Sequence, residues 1–285
     1  MKRLSQILVL MAMFATSCNV DDMYVGEQYG TEISIELEQN RTSLGESVEG
    51  KRAVYWSSGD RIAANGLVSN EAQLSAENSS IATFNFGVTL NYPLNILYPS
   101  TFYQEAGKIV LTRVQDFAEG TVATNTLPMA TMVANRGDDI KLHHLAAVVH
   151  LQLKASSAKN NAIRKVEIRG RANEQMSGEF AIDYTTSTLT PTVIVPPTEQ
   201  NTESNLALVT GSRVFGELSA DKVTDVYVVV PAQEYAEGFT VRVINEYGHY
   251  MDKAKTSGVT LSKGEIYKLP AIEFEPTGTI IKVEL

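Results

Sequence analysis

Cysteine is almost absent from this chain: its 285 residues contain one, Cys18. No intrachain disulfide can form, so the fold must rest on a buried core rather than on covalent staples. Tryptophan is equally scarce, with Trp56 alone, and there are four histidines, His143, His144, His150 and His249. Basic residues are outnumbered, 24 Lys and Arg against 33 Asp and Glu. The resulting net charge of −9 excludes the basic footprint that nucleic-acid binding requires. Past the N-terminus no apolar run approaches the roughly 20 residues of a membrane-spanning helix. Gly-x-Ser-x-Gly, His-Glu-x-x-His, P-loop and EF-hand spacings are all missing. His144 and His150 would share a strand face, but at about 3.3 Å per residue they stand about 20 Å apart, too far to share a metal. The adjacent acids Asp21-Asp22 and Asp138-Asp139 read as a solvated tether and a turn. No enzyme, cofactor or metal site is expected.

What is present begins at the N-terminus. Lys2 and Arg3 precede an apolar run over residues 7–14, and the small residues Ala15, Thr16 and Ser17 lead into Cys18. The run has the length of a signal-peptide core and is too short to span a bilayer. Small residues placed directly before the only cysteine resemble the lipobox of bacterial lipoproteins, which makes Cys18 the expected lipid-attachment site and the cell outer membrane the expected anchor. Asp21 and Asp22 fit either a surface-export signal or a solvated tether.

The remainder is strand-patterned. Ile33, Ile35 and Leu37 alternate with Ser34, Glu36 and Glu38, the period of a half-buried strand. Similar short runs recur to the C-terminus, separated by Gly, Pro, Asn and Asp, and no long amphipathic helix interrupts them. The fold class is all-β, and at roughly 150 residues per domain the length suits two sandwiches. The polar stretch 134–139 marks the boundary. The expected organisation is a signal peptide (1–17), a tether (18–30), an N-terminal β-sandwich (31–137) and a C-terminal β-sandwich (138–285). Residues 142–154 read as one long strand opening the second sandwich.

Several local patterns together resemble the fimbrillin family of type V pilus subunits. Trp56-Ser57-Ser58-Gly59-Asp60-Arg61-Ile62 is similar to its Trp-x-x-Gly-Asp-x-Ile, with Arg41-Thr42 upstream. Leu97-Tyr98-Pro99 resembles its Tyr-Pro element, and Leu142-His143-His144-Leu145-Ala146-Ala147 its apolar-x-His-Leu-x-Ala strand. Tyr227-Val228-Val229-Val230-Pro231 and Leu261-x-x-Gly264-x-x-Tyr267-x-Leu269 are similar to its two closing strands. The resemblance implies two tandem transthyretin-like β-sandwich domains and a surface-exposed fimbrium (pilus) component that supports cell adhesion. It also implies other pilus subunits as partners and a trypsin-like protease that cuts between Arg41 and Thr42. Removal of the strand carrying Ile33, Ile35 and Leu37 would then open a groove. Within these motifs Trp56 is expected as a core anchor at a strand end, Gly59-Asp60 as a turn and Tyr267 as a buried ring.

At the other end Pro276-Thr277-Gly278 breaks the strand pattern, and Thr279, Ile281, Val283 and Leu285 then alternate with Ile280, Lys282 and Glu284. A detachable apolar strand (279–285) is what donation to a neighbour requires. Both terminal segments also fit ordinary edge strands of their own domains. An alternative function is a monomeric surface lipoprotein that binds glycans. The single tryptophan, placed in a turn motif, counts against it, and the 12 tyrosines keep it open.

Overall fold

The computed structural model describes residues 30–37, 55–105, 107–155, 161–184, 191–193, 206–219 and 221–279. Apart from one 3-10 turn at Ser100–Phe102, every regular element among them is a strand, so the chain is all-β. The strands of the first half are β1 (Thr31–Leu37), β2 (Ala63–Ala64), β3 (Leu67–Val68), β4 (Gln73–Leu74), β5 (Ile81–Phe86), β6 (Leu94–Tyr98), β7 (Tyr103–Glu105), β8 (Lys108–Leu111), β9 (Val114–Asp116), β10 (Met129–Val133) and β11 (Lys141–His144). Those of the second half are β12 (Ala146–Ala155), β13 (Asn161–Gly170), β14 (Gly178–Ile182), β15 (Pro191–Val193), β16 (Leu206–Leu218), β17 (Thr224–Pro231), β18 (Glu234–Tyr235), β19 (Phe239–Asn245), β20 (His249–Lys255), β21 (Val259–Thr260), β22 (Ile266–Lys268), β23 (Ile272–Phe274) and β24 (Gly278–Thr279).

An eight-stranded sheet in the order β3-β2-β6-β10-β11-β1-β5-β4 wraps one core, in which Ile33, Ile35, Leu37, Trp56, Phe84, Ile96 and Leu142 meet. The second core lies between two sheets. β12 carries β17 on one side and β22 and β23 on the other, and opposite stands the six-stranded order β24-β20-β19-β13-β16-β9. Val149, Leu151 and Leu153 of β12 pack there with Val166, Val241 and Val243 from the facing sheet, the layering of a sandwich.

A fourth sheet, β15-β14-β8-β7, joins strands from the two halves of the sequence. Beneath it Leu97, Phe102, Ile109, Leu111, Ala130, Leu145, Phe180 and Ile182 form a small core of their own. β9 runs parallel to β16 at the margin of the six-stranded sheet. Segments 103–105 and 108–116 therefore serve as a bridge. The expected division at 137/138 falls on the turn between β10 and β11, where the Asn135 N–H donates to Asp138 Oδ2 at 3.0 Å. The chain leaves the first sheet at Leu145.

That crossing corrects one expectation. Residues 142–154 are not one strand: β11 pairs with β10 and β1, whereas β12 pairs with β17, β22 and β23. Leu145, between them, donates its N–H to the Pro128 carbonyl at 2.9 Å and buries its side chain in the bridging core. No Gly or Pro marks the break. The even positions are buried as well: Ala146 and Val148 pack with Leu127, Tyr227 and Val229 on the outer face of β12. There the Gln115 amide clamps Val229, donating to its carbonyl at 2.7 Å and accepting from its N–H at 2.8 Å.

Candidate strand-exchange groove

The alternation of β1 translates directly into burial. Thr31, Ile33, Ile35 and Leu37 face inward and are buried, and Glu32, Ser34 and Glu36 between them are exposed. β1 pairs antiparallel with β5 from Thr31↔Phe86 to Glu36↔Ile81. On its other side it meets β11 only at its C-terminal end, in parallel, through Glu36↔Lys141 and Leu37↔Leu142. One flank of the strand is thus a full ladder and the other a short contact.

Its ends and centre are tied down individually. Thr31 donates its N–H to the Val88 carbonyl at 3.0 Å, and its hydroxyl accepts from the Leu90 N–H at 2.8 Å. Leu37 donates to the Ser80 carbonyl at 2.9 Å and Glu36 to that of Ile140 at 3.0 Å. At the centre the Trp56 indole N–H donates to the Ile35 carbonyl at 3.3 Å. Trp56 is itself buried, as expected of a core anchor, with Phe84 and Tyr98 packed edge-on at 4.9 and 5.0 Å between centroids. Burying Ile33, Ile35 and Leu37 contributes about 4–9 kcal/mol at roughly 1.5–3 kcal/mol per side chain, an upper bound because unfolded chains are not fully extended. Such a sum is comparable to the whole stability of a typical domain, roughly 5–15 kcal/mol, so an empty groove is a severe defect.

The turn after Trp56 supports the groove floor. The Asp60 N–H donates to the Ser57 carbonyl at 2.9 Å, and Asp60 Oδ2 accepts from the Ser57 N–H at 2.7 Å. Asp60 Oδ1 accepts from the buried Tyr98 hydroxyl at 2.9 Å. The Trp-x-x-Gly-Asp and Leu-Tyr-Pro elements, separate in the sequence, are therefore one structure. Burial raises the Asp60 carboxyl above its ordinary value, opposed by the Ser57 N–H and the Tyr98 hydroxyl. Burial, reinforced by the Asp60 charge, likewise holds the Tyr98 hydroxyl well above the usual phenol range.

The other expected site residues are placed as follows. Cys18, Arg41, Thr42, Ile281, Val283 and Leu285 lie outside the described residues. Thr279 belongs to β24, which pairs with β20 at the margin of the six-stranded sheet through His249↔Thr279 and Tyr250↔Gly278. Thr279 and β1 thus belong to different sheets with different cores. Gly278 lies under the Tyr250 ring, where an added Cβ would stand 2.5 Å from Cζ. His144 and His150 are both buried, in β11 and β12 respectively. His150 Nε2 lies 2.7 Å from Asp225 Oδ1, and its ring stacks on Tyr227 at 4.3 Å. Tyr267 is half-buried rather than enclosed, edge-on to Phe239 at 6.2 Å, because β22 ends after Lys268 at the margin of its sheet. Among the described residues no group of three or more His, Cys, Asp or Glu side chains is placed to hold a metal ion. No described helix is long and apolar enough to cross a membrane.

No family model and no curated protein matches the chain. Solved structures do align with it over most of its length. One is a candidate cell adhesion protein from Bacteroides ovatus, with 15% identity, 89% of this chain and 100% of that chain covered and a TM-score of 0.44. Another is a candidate cell adhesion protein from Bacteroides fragilis, at 12% identity, 88% and 96% coverage and a TM-score of 0.47. A third is the tip fimbrial protein of Porphyromonas gingivalis with its C-terminus truncated, at 11% identity, 87% and 97% coverage and a TM-score of 0.32. These neighbours carry cell adhesion and fimbrial names, of the same kind as the family that the sequence motifs resemble. At such scores the likeness carries no weight of its own, and function has to be read from this chain's residues.

Proposed function

We propose that the chain is a fimbrillin-like subunit of a type V pilus, built on two transthyretin-like sandwiches and without catalytic activity. In this reading it is exported as a lipoprotein through Cys18, reaches the outer membrane surface, is trimmed between Arg41 and Thr42, and joins other subunits by strand exchange in a fimbrium that supports adhesion. One observation carries the reading: β1 is a seven-residue strand whose alternate side chains fill a core otherwise made by later parts of the chain. A strand of the same period offers the same backbone bonds and the same alternate side chains, which is the requirement for strand addition. The C-terminal segment has that period through Thr279, Ile281, Val283 and Leu285. The one described residue of that segment, Thr279, pairs with His249 of β20. The buried position of Trp56, the single tryptophan, removes the most obvious aromatic platform for the alternative of a glycan-binding surface protein.

Limited trypsin digestion tests this reading. A fragment beginning at Thr42 should appear together with oligomers that survive mild detergent. Lys51 and Arg52 offer nearby cuts, so the new N-terminus is to be sequenced. Deleting residues 279–285 should leave trimming intact and abolish the oligomers. Undiminished polymerisation of the truncated, trimmed protein would eliminate the C-terminal strand as donor. Trimming without oligomers would favour an anchor role or a monomer.

A further inference from the structure

The second sandwich is open along one margin. Between β19 and β20 on one sheet and β22 and β23 on the other lies a crevice of about 700 Å³, floored by Phe239, Val241, Tyr267, Leu269 and Ile272. Tyr267 and Leu269 remain half-exposed there. The volume lies within the roughly 300–1,000 Å³ typical of small-molecule sites.

Register gives the crevice its charge. Directly opposed residues of an antiparallel pair project to the same face. Met251 opposes Val243, Lys253 opposes Val241 and Lys255 opposes Phe239, and all three opposing residues belong to the core between the sheets. Met251 is buried accordingly, yet the next two core-facing positions of β20 carry ammonium groups. The Lys255 ammonium donates to the neutral Ser257 hydroxyl at 2.9 Å, which leaves its charge uncompensated by that contact. The acids at the margin are placed differently. Glu273, although it also lines the crevice, opposes Lys154 at 3.9 Å and alternates with the core residues Ile272 and Phe274. Glu275 stands at the mouth beyond the end of β23. Lys253 and Lys255 thus share the face of the apolar floor, while the two acids of the lining, Glu273 and Glu275, border it along β23, Glu273 beside Lys154.

We infer that this crevice binds a single-chain amphiphile with an anionic head, its tail on Phe239, Tyr267, Leu269 and Ile272 and its head on Lys253 and Lys255. A peptide strand is the weaker occupant, because charged residues at core-facing positions of a marginal strand are a device that blocks strand addition. The site requires neither trimming nor assembly, so its fate is separate from that of the pilus reading.

Calorimetry of the purified full chain with dodecanoate, below its critical micelle concentration, tests the inference. Saturable binding of one molecule per chain is expected, with neutral dodecyl maltoside and cationic dodecyltrimethylammonium binding far more weakly. The double variant Lys253→Glu/Lys255→Glu should bind dodecanoate at least about tenfold more weakly, since a bond to a charged group is worth roughly 1.5–3 kcal/mol, and should gain affinity for the cationic amphiphile. Lys253→Gln/Lys255→Gln keeps the side-chain bulk and should lose the anion without gaining the cation. Equal binding of the neutral amphiphile, or dodecanoate binding unchanged by charge reversal, overturns the inference. So does an absence of saturation. If Lys253→Val/Lys255→Val forms oligomers while the wild type binds nothing, the lysines guard the sheet margin and the ligand site does not exist.

Discussion

The indole N–H of Trp56 donates to the main-chain carbonyl of Ile35 across 3.3 Å, tying the chain's single tryptophan to the centre of β1. A side chain bonded to a strand's backbone is indifferent to that strand's sequence, so a replacement strand in the groove can take the same bond. Trp56 is therefore a built-in reporter of whether the groove is filled. Trimming should shift its emission to longer wavelength as water enters, and a synthetic peptide spanning residues 31–37 should restore it. Emission unchanged by verified loss of β1 would mean that the floor closes over the gap.

Ile35 is fully buried beneath that bond. Ile35→Ala in the untrimmed protein should cost about 2–5 kcal/mol, the range for large-to-small changes in a packed core. Chemical denaturation checks this. Glu36→Ala, one residue on and exposed, should change stability by less than about 0.5 kcal/mol.

The Asp60 carboxyl gives the groove a pH dependence. Burial raises it above its ordinary 3.8, so the folded state holds the proton more tightly than the unfolded state. Its contribution to stability is therefore greatest below about 3.8, declines as pH rises through the raised folded value, and is constant beyond it. Tyr98→Phe removes a donor to the ionised form, so the carboxyl should titrate higher still and the decline should extend further upward in pH. An NMR titration of the Asp60 side chain reads this, and a downward shift would contradict it.

Gly278 controls the hold of the C-terminal strand on its own sandwich. A side chain there meets the Tyr250 ring, which lies in turn against the Arg242 guanidinium at 4.3 Å. Arg242 is fixed by two 2.7 Å bonds to Asp252. Gly278→Val should detach β24 and leave the rest of the sheet intact. Hydrogen exchange at Thr277, whose N–H donates to the Tyr250 carbonyl at 2.8 Å, should accelerate at least tenfold. In the proposed assembly the same variant should polymerise faster after trimming, because its donor starts free.

Lipidation is tested at Cys18. Cys18→Ser should take up no labelled palmitate and should leave the membrane fraction. Normal labelling of the variant would end the lipoprotein reading.

The all-β class and the inward face of β1 were legible in the sequence, because a period of two over Ile33, Ile35 and Leu37 dictates which face is buried whatever that face meets. Trp56 was legible as an anchor for a similar reason: a large apolar ring beside a Gly-Asp turn has few places to go. Other features depended on distant partners. Nothing local to residues 142–154 distinguishes one strand from two, since only the meeting of Leu145 with Pro128 and with the bridging core decides where the chain changes sheets. The pairing of β8 with β14 joins residues about 70 apart, a choice made by shape and burial rather than by propensity. Lys253 and Lys255 look like ordinary solvent-facing lysines in the sequence. Their position over the core follows solely from the register of β20 on β19, because a shift of one residue would place both on the opposite face.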